Sequence, residues 1–340
     1  MQRGRATIKD IAKALNISIS TVSRAMGDHP DVSELTRNRV RELAETIHYS
    51  PNLQAKYLRT HSSGIVALIL PEINMFFSPG LMNGINQYIE EKGYSVMMLL
   101  SDNSYEKEKK LVDYCSKLAV DGVMVSLSKE TSELSHLEEL SQSGMPIILL
   151  DRILNSTVFP SISINGTEAA YTASNHLLNN GHKKIAGIFG YSNLLITKLR
   201  ILGFQKAFED RHLKPNPEHI LKVEDMEKFD AYMDKSGIVE NVTAIFTMSD
   251  ELLAKTYHYL LRNNIKMPEQ VSLISISDGE LPYHLYPKIT HILHSGYHIG
   301  QAAATYLIQL IKEQEILIRD YEAKTKLIEL DSVSQLVLKK

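Results

Sequence analysis

The sequence predicts a small all-α N-terminal domain carrying a helix-turn-helix, followed by a larger α/β body of two doubly wound halves. Three observations lead there. Residues 1–50 hold three stretches of helical hydrophobic period, each opened by a Thr or Ser suited to cap it. From Gly64 onward, short apolar runs alternate with amphipathic helical stretches. Charge is split unevenly: residues 1–60 carry ten Lys and Arg against six Asp and Glu, while the remaining 280 carry 27 against 34. A basic head on an acidic body suggests that the head alone meets a polyanion.

A chain of 340 residues is long for one domain. With 44% apolar and 23% charged residues it supports a sizeable core, which argues against wholesale disorder, collagen-like repeats and a small disulfide scaffold. The longest apolar runs, Ile65–Leu70 and Pro146–Leu150, are strand-length and far short of a membrane span. The N-terminus is polar and basic, with no apolar core of a secretory signal. A cytoplasmic protein without a membrane partner is expected. The lone Cys115 sits in an apolar helical pattern with Leu111, Val112 and Leu118, and reads as a buried thiol.

In the head, Thr7 caps a first helix, and Asp10 three residues later completes a capping arrangement. Ile8, Ile11, Ala12 and Leu15 form its inner face. Asn16 stops it, because Asn tolerates the left-handed backbone of a tight turn. Ser18 caps a second short helix with Val22, Ala25 and Met26 inward, and Ser33 opens a longer third with Val40, Leu43, Ala44 and Ile47 inward. In a helix-turn-helix the start of the second helix reaches base edges in the major groove. The outward side chains there are Ile19, Ser20, Ser23 and Arg24. Arg24 offers a bidentate fork to guanine and Ile19 an apolar contact to a thymine methyl. The hydroxyls of Thr7, Ser18, Thr21 and Ser23 suit phosphate oxygens. The same three helices would also serve as a bundle for protein contacts.

The stretch TIKDIAKALNISISTVSRAM resembles the headpiece of the lactose-repressor (LacI/GalR) family of bacterial transcription regulators. The continuation through Tyr49, Pro51 and Asn52 to Ala55 and Leu58 matches the family's hinge. Asn16 stands where the family usually has Gly. The resemblance implies a headpiece over 1–50 and a hinge over 51–62 that folds as a helix on the operator, with Asn52 and Ala55 beside DNA and Leu58 wedged into the minor groove. Such a wedge needs a partner across a dyad. The implied assembly is therefore a homodimer on double-stranded DNA with a near-palindromic operator.

In the body, buried parallel strands are expected at Ile65–Leu70, Val96–Leu100, Gly122–Ser126, Ile147–Leu150, Ile185–Phe189, Ala244–Thr247 and Val271–Ile276. Helices are expected at 79–92, 106–118, 166–180, 197–210, 250–263 and 296–313. Ligands of open parallel sheets sit beyond the carboxyl ends of strands. That rule nominates Asn74–Ser78, Asp151–Arg152, Tyr191–Arg200, Ser249–Asp250 and Ser277–Asp278. Aromatic rings at Phe76 and Phe77, carboxylates and a guanidinium suit a sugar or another small polar ligand.

The resemblance implies a type I periplasmic-binding-protein-like effector domain over 63–340. Its first subdomain would span 63–160 and 290–325, and its second 161–289 and 326–340. It carries effector contact onto Phe77, Asp151, Arg200, Ser249 and Asp250. Ser277 stands where the family commonly has an effector-binding Asp, and Thr290-His291 replaces the usual Thr-Thr. The resulting expectation is a repressor whose operator affinity answers to a small ligand, a sugar or sugar derivative. The body alone would also fit a sugar-binding protein of transport or an α/β enzyme.

No phosphate-binding loop, dinucleotide fingerprint, G-x-S-x-G elbow or H-E-x-x-H pattern occurs. No enzymatic activity, cofactor or metal is expected. His291, His294 and His298 have the nearest metal-like spacing, but Gly296 interrupts them and no carboxylate or Cys joins them. They read as residues of a subdomain crossing or subunit surface. Met97 and Met98 read as strand core.

Overall fold

The computed structural model describes residues 6–49, 62–314, 316 and 319–336. They form two compact units, one ending at Ser63 and one beginning at Gly64. The hinge residues Asn52, Ala55 and Leu58 lie outside the described residues.

The headpiece is a three-helix unit: α1 (Ile8–Leu15), α2 (Ile19–Met26) and α3 (Glu34–Thr46). Asp10 receives both the backbone N–H of Thr7, at 2.8 Å, and its hydroxyl, at 2.7 Å. Asn16 adopts the left-handed conformation (φ 53°) that the turn requires. Ser18 accepts from the Thr21 N–H at 3.0 Å and fixes the start of α2. Ile11, Val22, Ala25 and Val40 are fully buried where the helices meet. The α2–α3 loop is held by Arg37, which donates to the carbonyl of Val32 at 3.1 Å and pairs with Asp28, and by an Arg41–Asp28 bond.

The body has two six-stranded sheets. The first holds β1 (Ile65–Leu70), β2 (Ser95–Leu100), β3 (Gly122–Val125), β4 (Ile147–Leu150), β5 (Ser161–Ile164) and β11 (Asp320–Ala323), in the order β11-β5-β4-β3-β1-β2. The second holds β6 (Ile185–Phe189), β7 (Ile220–Lys222), β8 (Ala244–Thr247), β9 (Ser272–Ser277), β10 (Thr290–Leu293) and β12 (Lys326–Ile328), in the order β12-β10-β9-β8-β6-β7. Every pairing is parallel except β10 with β12. Their central strands are buried on both faces, as helix-covered parallel strands must be.

The chain crosses between the sheets three times: after β5, after β10 and between β11 and β12. Two strands therefore differ from expectation. Ser161–Ile164 pairs with β4 and β11 in the first sheet. Thr290–Leu293 pairs with β9 in the second, and the return begins only with helix 296–311. The chain changes sheets at loops, and each strand stays with the neighbour that satisfies its backbone. Met98 is also a correction: β2 is an edge strand, and Met98 is 37% exposed.

One packing device recurs in both halves. A Cβ on Gly84 would lie 2.1 Å from the Tyr297 carbonyl oxygen, so helices 77–91 and 296–311 touch backbone to backbone. A Cβ on Gly203 would lie 2.0 Å from the Thr167 carbonyl oxygen, bringing helices 166–179 and 195–209 equally close. These contacts fix the helices that carry Phe77 and Arg200 to the cleft. Cys115 is fully buried, and burial pushes its thiol up to about 12.

Candidate functional site

The headpiece presents α2. Ser18, Ile19, Ser20 and Arg24 are exposed, Ile19 at 46%, while Thr21 and Ser23 are half-buried. The Arg24 carbonyl accepts from the N–H groups of Gly27 and His29, while among the described residues its guanidinium makes no hydrogen bond or ion pair. Several of the candidate hydroxyls serve local caps. Ser18 Oγ lies 2.7 Å from Ser20 Oγ and 2.8 Å from Thr21 Oγ1, and exposed Thr7 donates to Asp10. They order the start of each helix and aim its free N–H groups outward.

In the body, the carboxyl ends of the two sheets enclose a cavity of about 170 Å³. Phe77, Asp151, Arg200, Ser249 and Asp250 line it, as do the nominated Asn74, Arg152 and Tyr191. Phe77 is the first residue of helix 77–91, and its ring centroid lies 5.5 Å from that of His294. Asp151 follows β4 in a left-handed conformation (φ 55°), which turns the chain at the cavity wall. Burial raises its pKa, against the pull of Arg200 and Arg152. Arg200 is 4% exposed and donates to the Met248 carbonyl at 2.7 Å, and its Nε has no partner. Burial lowers its pKa to about 10, so it remains a cation at neutral pH.

Ser249 caps helix 250–262 by accepting from the Leu252 N–H at 3.5 Å. Asp250 accepts from the Asp278 N–H at 3.0 Å through one oxygen, while the other has no partner. Burial lifts its pKa to about 7.

Two expected effector residues do not line the cavity. Phe76 is 40% exposed, because helix 77–91 begins one residue later and turns only the second ring inward. Its N–H donates to Glu251 at 3.1 Å, a bond from the first half to the second. Ser277 is fully buried behind the wall, where it accepts from the Gly279 N–H at 3.0 Å, and its hydroxyl tends to lower the pKa of Asp250 against the larger effect of burial.

Sequence reasoning missed part of the lining. Glu72 pairs with Arg152 at 2.9 Å, and Asn103 accepts from the same guanidinium at 2.7 Å. Val223, Met226 and Met248 supply an apolar wall. His294 lines the cavity with its Nδ1 unpartnered, and burial, reinforced by Arg200, lowers its pKa to about 3, so it is neutral. It lies just past β10 and could have been found by the strand-end rule that nominated Asp151. His291 is buried in the strand, His298 is exposed, and among the described residues no metal-binding cluster exists.

The model described as bacterial regulatory proteins, lacI family, matches residues 7–52, and that of the periplasmic binding protein-like domain matches 174–333. The HTH-type transcriptional repressor PurR of Aliivibrio fischeri is 29% identical over 334 residues, covering 97% of this chain and 98% of the relative. The Lac repressor dimer solved with operator and the anti-inducer ONPF superposes with a TM-score of 0.85 at 20% identity, covering 97% of this chain and all of that one. The transcriptional regulator CelR solved with cellobiose gives 0.72 at 21% identity, over 96% of this chain and 100% of that one. With its capped, exposed second helix and its two-sheet body, the chain joins a lacI-family regulatory-protein domain to a periplasmic binding protein-like domain and is a DNA-binding transcription regulator, not an enzyme.

Proposed function

We propose that this regulator is a cytoplasmic repressor that binds a near-palindromic operator as a homodimer and changes its grip when a sugar or sugar derivative fills the cleft. The observation that carries the reading is the pairing of two features in one chain: a free Arg24 on a capped recognition helix, and a buried polar cavity closed from both sides by different sheets. The cleft residues named above, Phe77, Asp151, Arg200, Ser249 and Asp250, hold the ligand, with Ser277 behind them. A ligand touching both walls favours one angle between the halves, and linkage then makes operator affinity depend on it by about 1–3 kcal/mol. Asn52, Ala55 and Leu58 transmit the change at the DNA, with Leu58 as the minor-groove wedge.

The solved relatives lend support: one was captured as a dimer on its operator and another with a disaccharide. The test is operator binding by the purified chain with and without candidate sugars, together with the bend angle of the bound DNA. A sugar-dependent shift in affinity, and a bend lost in Leu58→Ala, are the expected results. Affinity indifferent to every sugar would remove the sugar, and an unchanged bend would remove the wedge.

A further inference from the structure

We propose that Asp28 is a positioning residue for DNA readout: gripped by two arginines of α3, it fixes the end of the recognition helix and with it the direction in which Arg24 leaves α2. This rests on the reading above that Arg24 meets a base, and adds the side chains that aim it.

Arg24 stands two residues before the end of α2 at Met26. The last turn of a helix has unmet carbonyls and frays unless something closes it. Here the Arg24 carbonyl accepts from two N–H groups beyond the helix, that of Gly27 at 3.2 Å and that of His29 at 3.0 Å. Asp28 lies between those two donors. Its backbone is left-handed (φ 56°), a conformation that Asp and Asn tolerate better than most residues.

From the other side, Arg37 and Arg41 are four residues apart on α3 and so share a face. Both reach Asp28: Arg37 Nε lies 3.5 Å from Asp28 Oδ1, and Arg41 bonds the same oxygen. Arg37 Nη2 also donates to the carbonyls of His29, at 3.3 Å, and of Val32, at 3.1 Å. Val32 in turn is buried in the headpiece core. The loop that closes α2 is thereby tied to α3 along its length, and the Arg24 carbonyl is tied to that loop.

Asp28 is 59% exposed, and ion pairs so open to water add little to stability. Converging bonds supply direction instead, because they leave the loop one arrangement. The same carboxylate also repels phosphate. Residues 6–49 carry six Lys and Arg against six Asp and Glu, so one negative charge weighs on attachment to any duplex. Asp28 thus acts on DNA in two opposite senses: its charge weakens binding to every sequence, and its grip strengthens binding to the right one.

Two duplexes separate these senses. With the full-length protein, a preferred duplex is selected from a random pool, and affinity is measured on it and on a scrambled duplex of equal length. Asp28→Asn removes the charge and keeps a side chain that tolerates the backbone there. The expected result is a loss of about threefold to tenfold on the selected duplex, with affinity for the scrambled one unchanged or up to about threefold higher. Asp28→Asn combined with Arg41→Gln restores the net charge without the pair. It should return scrambled-duplex affinity to that of the unaltered protein and leave the loss on the selected duplex.

A gain on both duplexes alike makes Asp28 a repelling charge only and overturns the proposal. Equal losses on both make it a residue that merely keeps the headpiece folded, and unchanged affinity for the selected duplex removes any role; either result overturns it too. Arg24→Ala is the control for the reading beneath. A selective loss there with none in Asp28→Asn strikes Asp28 alone, whereas equal losses on both duplexes in Arg24→Ala, or a pool that yields no preferred duplex, strike the base contact and the proposal together.

Discussion

The two halves of the body share one strand plan, each with its sixth strand supplied by residues 320–328, yet they treat the polar groups beside the cavity differently. In the first half, Arg152, Glu72 and Asn103 bond one another and form a rigid wall. In the second, Arg200 and Asp250 are buried with an unmet atom each, and His294 at the crossing adds a third. A shared backbone thus supports a finished wall and an unfinished one. The unfinished wall is where a ligand gains most, since every bond it makes relieves a group already taken out of water.

The largest expected effect would test whether the halves are alike in packing. Gly84→Leu and Gly203→Leu each force a side chain into a neighbouring backbone and should cost about 3 kcal/mol or more, read as loss of the cooperative denaturant transition. If one is tolerated, the halves are not equivalent scaffolds.

Next comes pH. Asp250 keeps its proton when folded up to about pH 7, whereas the unfolded chain releases it near 3.8. Its contribution to stability is therefore full below about pH 4 and is lost as pH rises to about 7, by up to about 4 kcal/mol. Asp250→Asn should flatten that part of the stability profile, and an unchanged profile would show that the carboxyl is not held neutral.

Arg200→Ala should abolish the effector response and cost about 1.5–3 kcal/mol through its buried bond to Met248. Arg152→Ala, on the satisfied wall, should only shift the response to higher ligand concentration. A reversed ranking in a ligand titration would undo the contrast between the walls.

The smallest effect on the body comes from the headpiece. Arg24→Ala should weaken specific operator binding by about 1–3 kcal/mol and leave the melting of the body unchanged. An equal loss on random DNA would refute a base contact.

Much of this was legible in the sequence, for a physical reason. Parallel strands covered on both faces must be continuously apolar, so Ile65–Leu70 and Ile147–Leu150 announced themselves. Ser161–Ile164 alternates polar and apolar residues, and its sheet was misassigned because periodicity does not reveal a neighbour. At the site, Asp151 and Arg200 followed from the strand-end rule. Met226 and Met248 could not, since an apolar residue facing a cavity looks like one facing the core. The choice between Phe76 and Phe77 depended on a helix boundary one residue wide, which sequence patterns do not resolve.

The placement of the last two strands has a consequence for biosynthesis. β11 closes the edge of one sheet and β12 the edge of the other, and both lie more than 250 residues after β1. During translation neither half gains its sixth strand before residues 320–328 have left the ribosome, long after the headpiece helices have emerged. A message cut short before residue 320 would yield a nascent product with its helix-turn-helix formed and two open-edged, unfinished sheets.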